Sequence, residues 1–252
     1  LGFAGGGRGE LRATATHDGA GAVRVAASAV VHDLPVNSLD IFWPLPLAPN
    51  AREWVTSNLT GGIVDQADFE FAVAGDPGGA VRATGLASKI RFRGVTVNYL
   101  APLPPATGVD GNATLALDRV LVTTQGGAVG ALRVETSRSL LTGLDGNDER
   151  ADIQIAVRGP VRDQLDLLDR PPLGFMKAVA MNPTEFGGEG STRARFLFPL
   201  ARSLRVEQVA VAGTVEAKGF SLKRAALGQD AHDGEIAGRF DEKGLTANGR
   251  LI

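Results

Sequence analysis

Apolar residues recur at every second position in one segment after another from Leu11 to Leu251. In residues 63 to 75, the apolar side chains fall on one side of an extended strand and the polar side chains fall on the other. The apolar row consists of Ala67, Phe69, Phe71 and Val73, and the polar row of Gln66, Asp68 and Glu70. This alternation predicts a strand that is buried on one face only.

The same two-residue period returns in residues 151 to 157 and 193 to 200. The apolar rows are Ile153, Ile155 and Val157 in the first segment and Ala194, Phe196, Phe198 and Leu200 in the second. Asp152 and Gln154 lie on the opposite side of the first row, and Arg193 and Arg195 on the opposite side of the second. Both segments therefore predict strands of a sheet with one apolar face.

One predicted strand changes phase part-way along its length. Ile90 and Phe92 share one parity, whereas Val95, Val97 and Tyr99 share the other. One extra residue near Arg93-Gly94 would keep all five side chains on the same face. A phase change of this kind predicts a β-bulge.

The first part of the chain predicts a hairpin, a connection and a helix. Residues 9–18 and 22–31 form the hairpin, closed around Asp18-Gly19-Ala20-Gly21. The proline-rich residues 34–49 predict an extended connection. A helix follows, with Asn50 as its cap, Glu53 completing a capping box and Gly61-Gly62 ending it. We expect this helix to dock through Trp54 and Val55.

A second helix is predicted from Pro160 to about Arg170, with Val161, Leu165 and Leu168 on one side, and a third, short one at 173–182. The other strands are predicted at 63–74, 80–87, 88–100, 111–124, 128–136, 151–157, 190–200, 203–213, 214–224, 233–241 and 245–252. The expected fold is mainly β, with about a dozen strands and two or three short helices. Its 252 residues suit one large β domain or two smaller ones, with a sub-boundary near 101–110.

Composition narrows the functional classes. The formal net charge is −2 and charged residues make up 21% of the chain without a basic cluster, so nucleic acid is not an expected partner. The absence of cysteine excludes disulfides, thiolate metal sites and cysteine nucleophiles. The chain begins at Leu1, shows no leader and contains no apolar run near the ~18 residues of a spanning helix, so we expect a piece of a longer protein.

Candidate catalytic groups are sparse. The histidines are His17, His32 and His232, each single and in a polar setting without an HExxH pair. Ser28, Ser57 and Ser139 lack a nucleophile elbow and a marked partner base. The run Gly5-Gly6-Gly7-Arg8-Gly9 lacks the lysine of a P-loop. The sequence therefore predicts no catalytic residue and no cofactor.

An acidic loop is the one candidate for a metal ion. It contains Asp145, Asn147, Asp148 and Glu149, but its spacing departs from that of an EF-hand. An ordinary hairpin loop is the preferred interpretation, and no metal site is predicted.

Several stretches resemble the AsmA-like superfamily, in its YhdP branch. The resemblance lies in Pro49-Asn50-Ala51-Arg52-Glu53-Trp54-Val55 through Asn58-Leu59, Gly61-Gly62-Ile63 and Ala67; in Leu103-Pro104-Pro105 through Val109, Gly111, Ala113 and Leu115; in Ile153, Ile155 and Gly159 with Leu165, Leu168 and Pro171-Pro172-Leu173; and in Gly190 through Phe196, Phe198, Pro199 and Leu200. It spans about residues 49–220, and the order and spacing of the motifs carry it.

The resemblance implies a bridge-like lipid-transfer protein. Such a protein has a long, strongly curved antiparallel-rich sheet forming an open apolar groove, with short helices at its edge. Residues 1–252 would then be one section of a periplasmic β-groove protein. Its parent would be anchored in the inner membrane by a segment outside this sequence, and would conduct phospholipids toward the outer membrane and support its permeability barrier. The implied partners are acyl chains, with no cofactor and no catalytic residue.

On this hypothesis, ten apolar residues would line the groove: Phe69, Phe71, Val73, Ile90, Phe92, Ile153, Ile155, Val157, Phe196 and Phe198. Two other interpretations stay open. The apolar rows are also typical of the closed core of a structural or adhesive β-sandwich that binds protein or glycan partners. A hydrolase using Asp65 and Asp68 is the other, although their spacing is more typical of a solvated strand face.

Overall fold

A computed structural model describes residues 7–17, 22–42, 49–75, 79, 81–146, 148–173, 182–201, 204–226 and 229–250. The strands in these ranges are β1 Arg8–His17, β2 Val23–Pro35, β3 Leu59–Thr60, β4 Ile63–Gly75, β5 Val81–Val97, β6 Ala106–Ala116, β7 Arg119–Gln125, β8 Ala128–Val129, β9 Leu132–Thr142, β10 Arg150–Pro160, β11 Phe186–Pro199, β12 Ala210–Ala226, β13 Gln229–Asp241 and β14 Gly244–Arg250. The prediction of a mainly β protein is confirmed.

Three short α-helices accompany the strands in the described ranges: α1 Leu39–Phe42, α2 Pro49–Asn58 and α3 Val161–Asp169. Single 3₁₀ turns occur at Val36–Ser38, Pro183–Glu185 and Val206–Gln208. Helix α3 begins at Val161, one residue after the predicted start at Pro160, and ends before Pro171-Pro172. The third predicted helix lies largely at 174–181, outside the described residues.

The strands hydrogen-bond in chain order, as β1-β2-β4-β5-β6-β7-β9-β10-β11-β12-β13-β14. Strand β3 adds to β5, and β8 pairs with both β6 and β9, which closes β6, β7, β9 and β8 into a four-stranded ring. The predicted hairpin is confirmed, because β1 and β2 are antiparallel with His17 opposite Val23. Its turn residues 18–21 lie outside the described residues.

Several predicted boundaries are wrong. Residues 36–42 are not extended but form a 3₁₀ turn and α1. Residues 111–124 are divided between β6 and β7 by a bend at 117–118. The separate strands at 80–87 and 88–100 are the single strand β5, and residues 206–208 are a 3₁₀ turn where a strand was expected. In each case the boundary depends on whether the chain makes a local turn. The alternation of apolar and polar residues alone does not show where such turns lie.

The predicted start of the first helix is also displaced. Helix α2 begins at Pro49, so Asn50 lies inside the helix and does not precede it as a cap. Val55 is half-buried, but Trp54 is 48% exposed, so the expected docking through Trp54 is not found.

The chain divides into two compact units. Unit 1 comprises Leu1–Val97, Thr107–Thr124 and Ser139–Glu149; unit 2 comprises Asn98–Ala106, Gln125–Arg138 and Arg150–Ile252. The prediction of a single section with a sub-boundary near 101–110 stays a prediction.

Unit 1 contains an antiparallel sheet whose two faces differ in polarity. Its register places Ala27 opposite Phe71, and Phe71 opposite Leu86 on β5. The neighbouring cross-strand row places Ser28 opposite Glu70, which is next to Ala87. Because paired residues of antiparallel strands share a face, the apolar rows of β2, β4 and β5 lie on the same side.

Three neighbouring strands of unit 1 are irregular at the same level. Asp33 of β2 has a φ of 54°, the pairing of β4 with β5 skips Asp65, and Gly94 of β5 has a φ of 65°. Each irregularity keeps two apolar residues three positions apart on one face. These pairs are Val31 and Leu34, Val64 and Ala67, and Phe92 and Val95, all packed in one cluster. The predicted bulge near Arg93-Gly94 is therefore confirmed for this strand.

Charged side chains accompany these bulges. Asp65 pairs with Arg93 and, at 3.8 Å, with Arg91, and the Gly94 amide donates to Asp110 Oδ1 at 2.8 Å. The hydrogen bond and charge of Asp65, with smaller contributions from Asp33 and Asp110, raise the pKa of Arg93 above its usual range. The carboxylates thus satisfy backbone and guanidinium donors where the strand ladder is interrupted.

Unit 2 repeats the two-faced sheet in β10 to β14. Ile153 lies opposite Phe196, and Phe196 lies opposite Val211. The adjacent row places Asp152 opposite Leu197 and Gln154 opposite Arg195. Asp152 also accepts two hydrogen bonds from Arg195, from Nε to Oδ1 at 2.9 Å and from Nη2 to Oδ2 at 2.8 Å.

This ion pair predicts a contribution to stability that depends on pH. The Arg195 hydrogen bond holds the pKa of Asp152 below its ordinary value of 3.8. The stabilisation is therefore present above that ordinary value and is lost as the pH falls through the lowered pKa. Since Arg195 is half-exposed, we expect less than about 1 kcal/mol. On acidification, the free energy of unfolding of Asp152→Asn should therefore fall less than that of the parent chain, by up to this amount. Urea unfolding at neutral and acidic pH measures both changes.

Arg195→Gln serves as the matched control, since it removes the other partner. The two variants and their combination should give the same acid profile. A double variant that loses clearly more acid dependence than either single variant would contradict the assignment to this pair.

Candidate functional site

The predicted lining residues fall into two groups, one in each unit. Unit 1 carries Phe69, Phe71, Val73, Ile90 and Phe92, and unit 2 carries Ile153, Ile155, Val157, Phe196 and Phe198. Within each unit, strand register places the group on the apolar face of its sheet. All ten are half-buried.

Part of the unit 1 group belongs to a hydrophobic core. The buried members of this core are Leu34, Val36, Val64, Ala67 and Val95. Phe69, Ile90 and Phe92 pack against them, together with Leu39 of α1 and Leu59 of β3. The segment between β2 and β4 therefore supplies side chains that cover this end of the apolar face.

Phe71 and Val73 lie further along β4, toward its C-terminal end. They are opposite Ala27 and Val25 of β2, and Phe71 also faces Leu86 of β5. At this end of the face, Val23 of β2 is 40% exposed and Val81 of β5 is 70% exposed, both opposite Gly75 of β4. The apolar face of unit 1 thus passes from buried at one end to solvent-accessible at the other.

A single hydroxyl interrupts the apolar face of unit 1. Ser88 is 5% exposed, lies opposite Phe69, and its Oγ has no hydrogen-bond partner among the described residues. An unpaired buried hydroxyl costs about 1–3 kcal/mol. The position lies between the side chains of Leu86 and Ile90 on β5, where the covered part of the face begins.

In unit 2, helix α3 covers one end of the apolar face. Val161 is buried with Ala217 and Phe220, and Leu165 packs against this cluster. Phe186 and Phe220 are in tilted contact, with ring centroids 6.1 Å apart. Of the three residues predicted to share one side of this helix, Val161 and Leu165 pack in this cluster, whereas Leu168 is 40% exposed.

Gln164 fastens α3 to the sheet beneath it. Its Nε2 donates to the carbonyl oxygens of Gly159 and Gly190, both at 2.9 Å. Its Oε1 accepts from Thr192 Oγ1 at 2.7 Å. All three hydrogen bonds of this half-buried amide therefore hold the helix over the row formed by Gly159, Gly190 and Ala217.

From the margin of α3 onward, the cross-strand rows of unit 2 contain the predicted residues. The first row is Val157–Thr192–Val215, in which Thr192 contacts Gln164 of α3. The second and third rows are Ile155–Ala194–Gly213 and Ile153–Phe196–Val211. The two outer strands continue the second row through Phe240 and Leu245, and Leu245 is 62% exposed. Exposure of the apolar face thus increases toward β14.

The groups proposed for chemistry are not assembled. His17, His32 and His232 lie in β1, β2 and β13, and the described residues contain no group of three or more side chains suited to a metal ion. Of the acidic loop, Asp145, Asp148 and Glu149 are described and connect β9 to β10.

The two carboxylates named for a hydrolase both have other partners. Asp65 is paired with arginines, and both carboxylate oxygens of Asp68 accept from Gln66 Nε2 at 3.1 Å. These contacts of Asp65 and Asp68 are typical of a solvated strand face. In unit 2, partial burial raises the pKa of Tyr99, and the charge of Arg170 opposes this shift.

Comparisons with protein-family models, curated proteins and solved structures give no match. None of the helices in the described ranges combines the length and apolar content needed to cross a bilayer. The resemblance to the AsmA-like superfamily stays a prediction.

Sequence reasoning missed several members of the apolar face. Val211, Val215 and Ala217 alternate in β12, and Phe240 and Leu245 complete a row in β13 and β14. The alternation of β12 is visible in the sequence, but cross-strand partners become known only with the register. Gln164 carried no signal, because two of its partners are backbone carbonyls and the third, Thr192, is 28 residues away in the sequence.

Gly190 provides a test of the contact between α3 and the sheet. A Cβ at this position would lie 2.6 Å from Gln164 Nε2 and 3.3 Å from Val161 Cγ2. We expect Gly190→Ala to lower the free energy of unfolding by about 1–3 kcal/mol, because it overpacks the contact. Urea unfolding measures the change. The adjacent Ser191→Ala, on the other face of the sheet, should change stability little. Equal losses of stability for the two variants would contradict the close contact between α3 and Gly190.

Phe69 and Phe71 provide a second test. Phe69 packs on the buried cluster and Phe71 lies beyond it on the same strand. We expect Phe69→Asp to cost about 3 kcal/mol or more, and Phe71→Asp clearly less, because only the former places a carboxylate against the core. Thermal unfolding followed by circular dichroism separates them. Comparable unfolding of both variants would show that the whole face is a closed core.

Proposed function

We propose that this chain is a non-enzymatic section of a lipid conduit in which acyl chains lie on the apolar faces of the sheet. The observation that carries the proposal is the row Ile155–Ala194–Gly213–Phe240–Leu245 in unit 2, which crosses five strands without a polar side chain. The opposite face of the same strands carries Asp152, Arg195 and other charged residues. A soluble sheet with such a face needs either a protein cover or a guest.

The energetic requirement supports an apolar surface as the working part. Each CH₂ exposed to water costs about 0.8 kcal/mol, so an acyl chain costs on the order of 10 kcal/mol. Transfer needs a surface that removes most of this cost, and it needs no catalytic group. The sparse and dispersed catalytic candidates are in keeping with that requirement.

The dimensions are also suitable. From Ile155 to Leu245, the row crosses four strand spacings, or about 19 Å at ~4.8 Å per spacing. The hydrocarbon of one leaflet is about 15 Å thick. An acyl chain would therefore fit along the row from Ile155 to Leu245 without reaching the part of the face under α3.

The cellular setting of the proposal comes from the sequence resemblance. We place the section in the periplasm, within a parent chain attached to the inner membrane by a segment outside this sequence. The open, strongly curved groove and the passage of phospholipids toward the outer membrane, in support of its permeability barrier, belong to the same proposal.

A structural or adhesive β protein is the second candidate. The buried cluster of unit 1 favours it, because Val36, Leu39 and Leu59 cover part of the apolar face there. This candidate expects purified material to be free of lipid. Mass spectrometry of an organic extract of the purified chain distinguishes the two candidates.

Adjacent residues on β11 give the direct test. Phe196 lies on the apolar face, and Leu197 lies on the other face with 41% exposure. We expect Phe196→Asp to reduce binding of a phospholipid with a fluorescent acyl chain about tenfold or more, because it places a carboxylate in the acyl path. Fluorescence titration with the purified chain measures the affinity.

Leu197→Asp is the matched control and should bind as the parent chain does. Circular dichroism and urea unfolding show whether both variants are folded. Equal binding by a folded Phe196→Asp variant and the parent would contradict the proposed function.

A further inference from the structure

A depression of about 610 Å³ lies where the β13–β14 hairpin turns beside β12. Residues of both faces of the sheet line it, with Gly213, Phe240 and Leu245 from the apolar face and Arg239 from the other. Apolar and charged side chains therefore both line this depression. This combination suits an amphiphilic molecule.

The floor of the depression continues the apolar row of unit 2. Gly213 lies opposite Phe240, which lies opposite Leu245. A Cβ at Gly213 would collide with the Phe240 ring, so the ring lies directly over this glycine. Through Ala194, the same row reaches Ile155. An acyl chain on this row would have one end at the depression.

Two cations line the depression next to this floor. Neither Arg239 nor Lys243 has an ion-pair partner among the described residues. Asp241 also lines it, and its Oδ1 accepts from the Lys243 backbone amide at 2.8 Å. The lining residues thus carry one positive charge in excess, with one carboxylate already engaged in the turn.

We infer that this depression binds the phosphate of a phospholipid through Arg239 and Lys243, while an acyl chain lies on Phe240 and Leu245. The inference rests on the proposed function and adds to it a site for the headgroup. Guanidinium and ammonium groups are the usual protein partners of phosphate. The ligand is a lipid phosphate and not the free ion, because the cations adjoin an exposed apolar floor.

The test compares two lipids, of which only one carries a phosphate, within its phosphocholine headgroup. Phosphatidylcholine and diacylglycerol with the same fluorescent acyl chain are presented to the purified chain from cyclodextrin, so that no vesicle surface contributes. We expect the parent chain to bind phosphatidylcholine about fivefold more tightly, as two exposed charge-assisted contacts would give. The double variant Arg239→Gln/Lys243→Gln should lose this preference and keep its affinity for diacylglycerol.

Arg193→Gln/Lys218→Gln is the matched control, since it removes the same charge from exposed positions of unit 2 outside the depression. It should keep the preference. Leu245→Ser should weaken both lipids alike, because it removes apolar floor. Titration with inorganic phosphate alone should show no binding at the affinity of the lipid.

The outcomes separate the two levels of the proposal. Three results would overturn the headgroup site without contradicting the lipid conduit. They are equal affinity of the parent chain for the two lipids, a preference that survives in Arg239→Gln/Lys243→Gln, and tight binding of inorganic phosphate. Failure of the parent chain to bind either lipid would overturn both.

Discussion

One-sided burial is the constraint on which this structure depends. Side chains alternate between the faces of a strand, so a shift of one residue moves a whole apolar row to the wrong face. The strands avoid this at their irregular points. Val31 and Leu34, Val64 and Ala67, and Phe92 and Val95 are each three residues apart and pack in one cluster, because Asp33, Asp65 and Gly94 take up the extra residue. Gly219, with a φ of 58°, does the same for Ala217 and Phe220 in unit 2.

The apolar faces are closed to different degrees. In unit 1, side chains from the segment between β2 and β4 bury one end of the face, and exposure rises toward Val23 and Val81. In unit 2, α3 covers one end through Val161, Leu165 and the Gln164 hydrogen bonds, and exposure rises toward Leu245. Each unit thus combines a protein-covered end, which stabilises the fold, with an accessible end, to which we assign lipid contact.

Alternation in the sequence predicted the strands and their faces because burial of one face leaves a signal in every second residue. It also located the bulge at Arg93-Gly94, since a bulge changes the phase of the pattern. It could not predict that Val36 and Leu39 cover the face, because their segment has no period and many prolines. Cross-strand neighbours such as Ile153 with Phe196, and the row ending at Leu245, depend on register, which a strand pattern does not encode. Two of the three hydrogen bonds of Gln164 go to backbone carbonyls, which any residue supplies, and the third comes from Thr192 on a strand distant in the sequence.

The aligned bulges also determine where the chain can change length. Removing Asp33, Asp65 or Gly94 would leave the flanking apolar residues two positions apart and still on the same face, at the loss of local ion pairs or an amide contact. A one-residue deletion elsewhere in the same strands would move the apolar side chains on one side of the deletion to the polar face. Single-residue gaps among homologous sequences should therefore gather at this level of the sheet, and strand segments away from it should keep a fixed length.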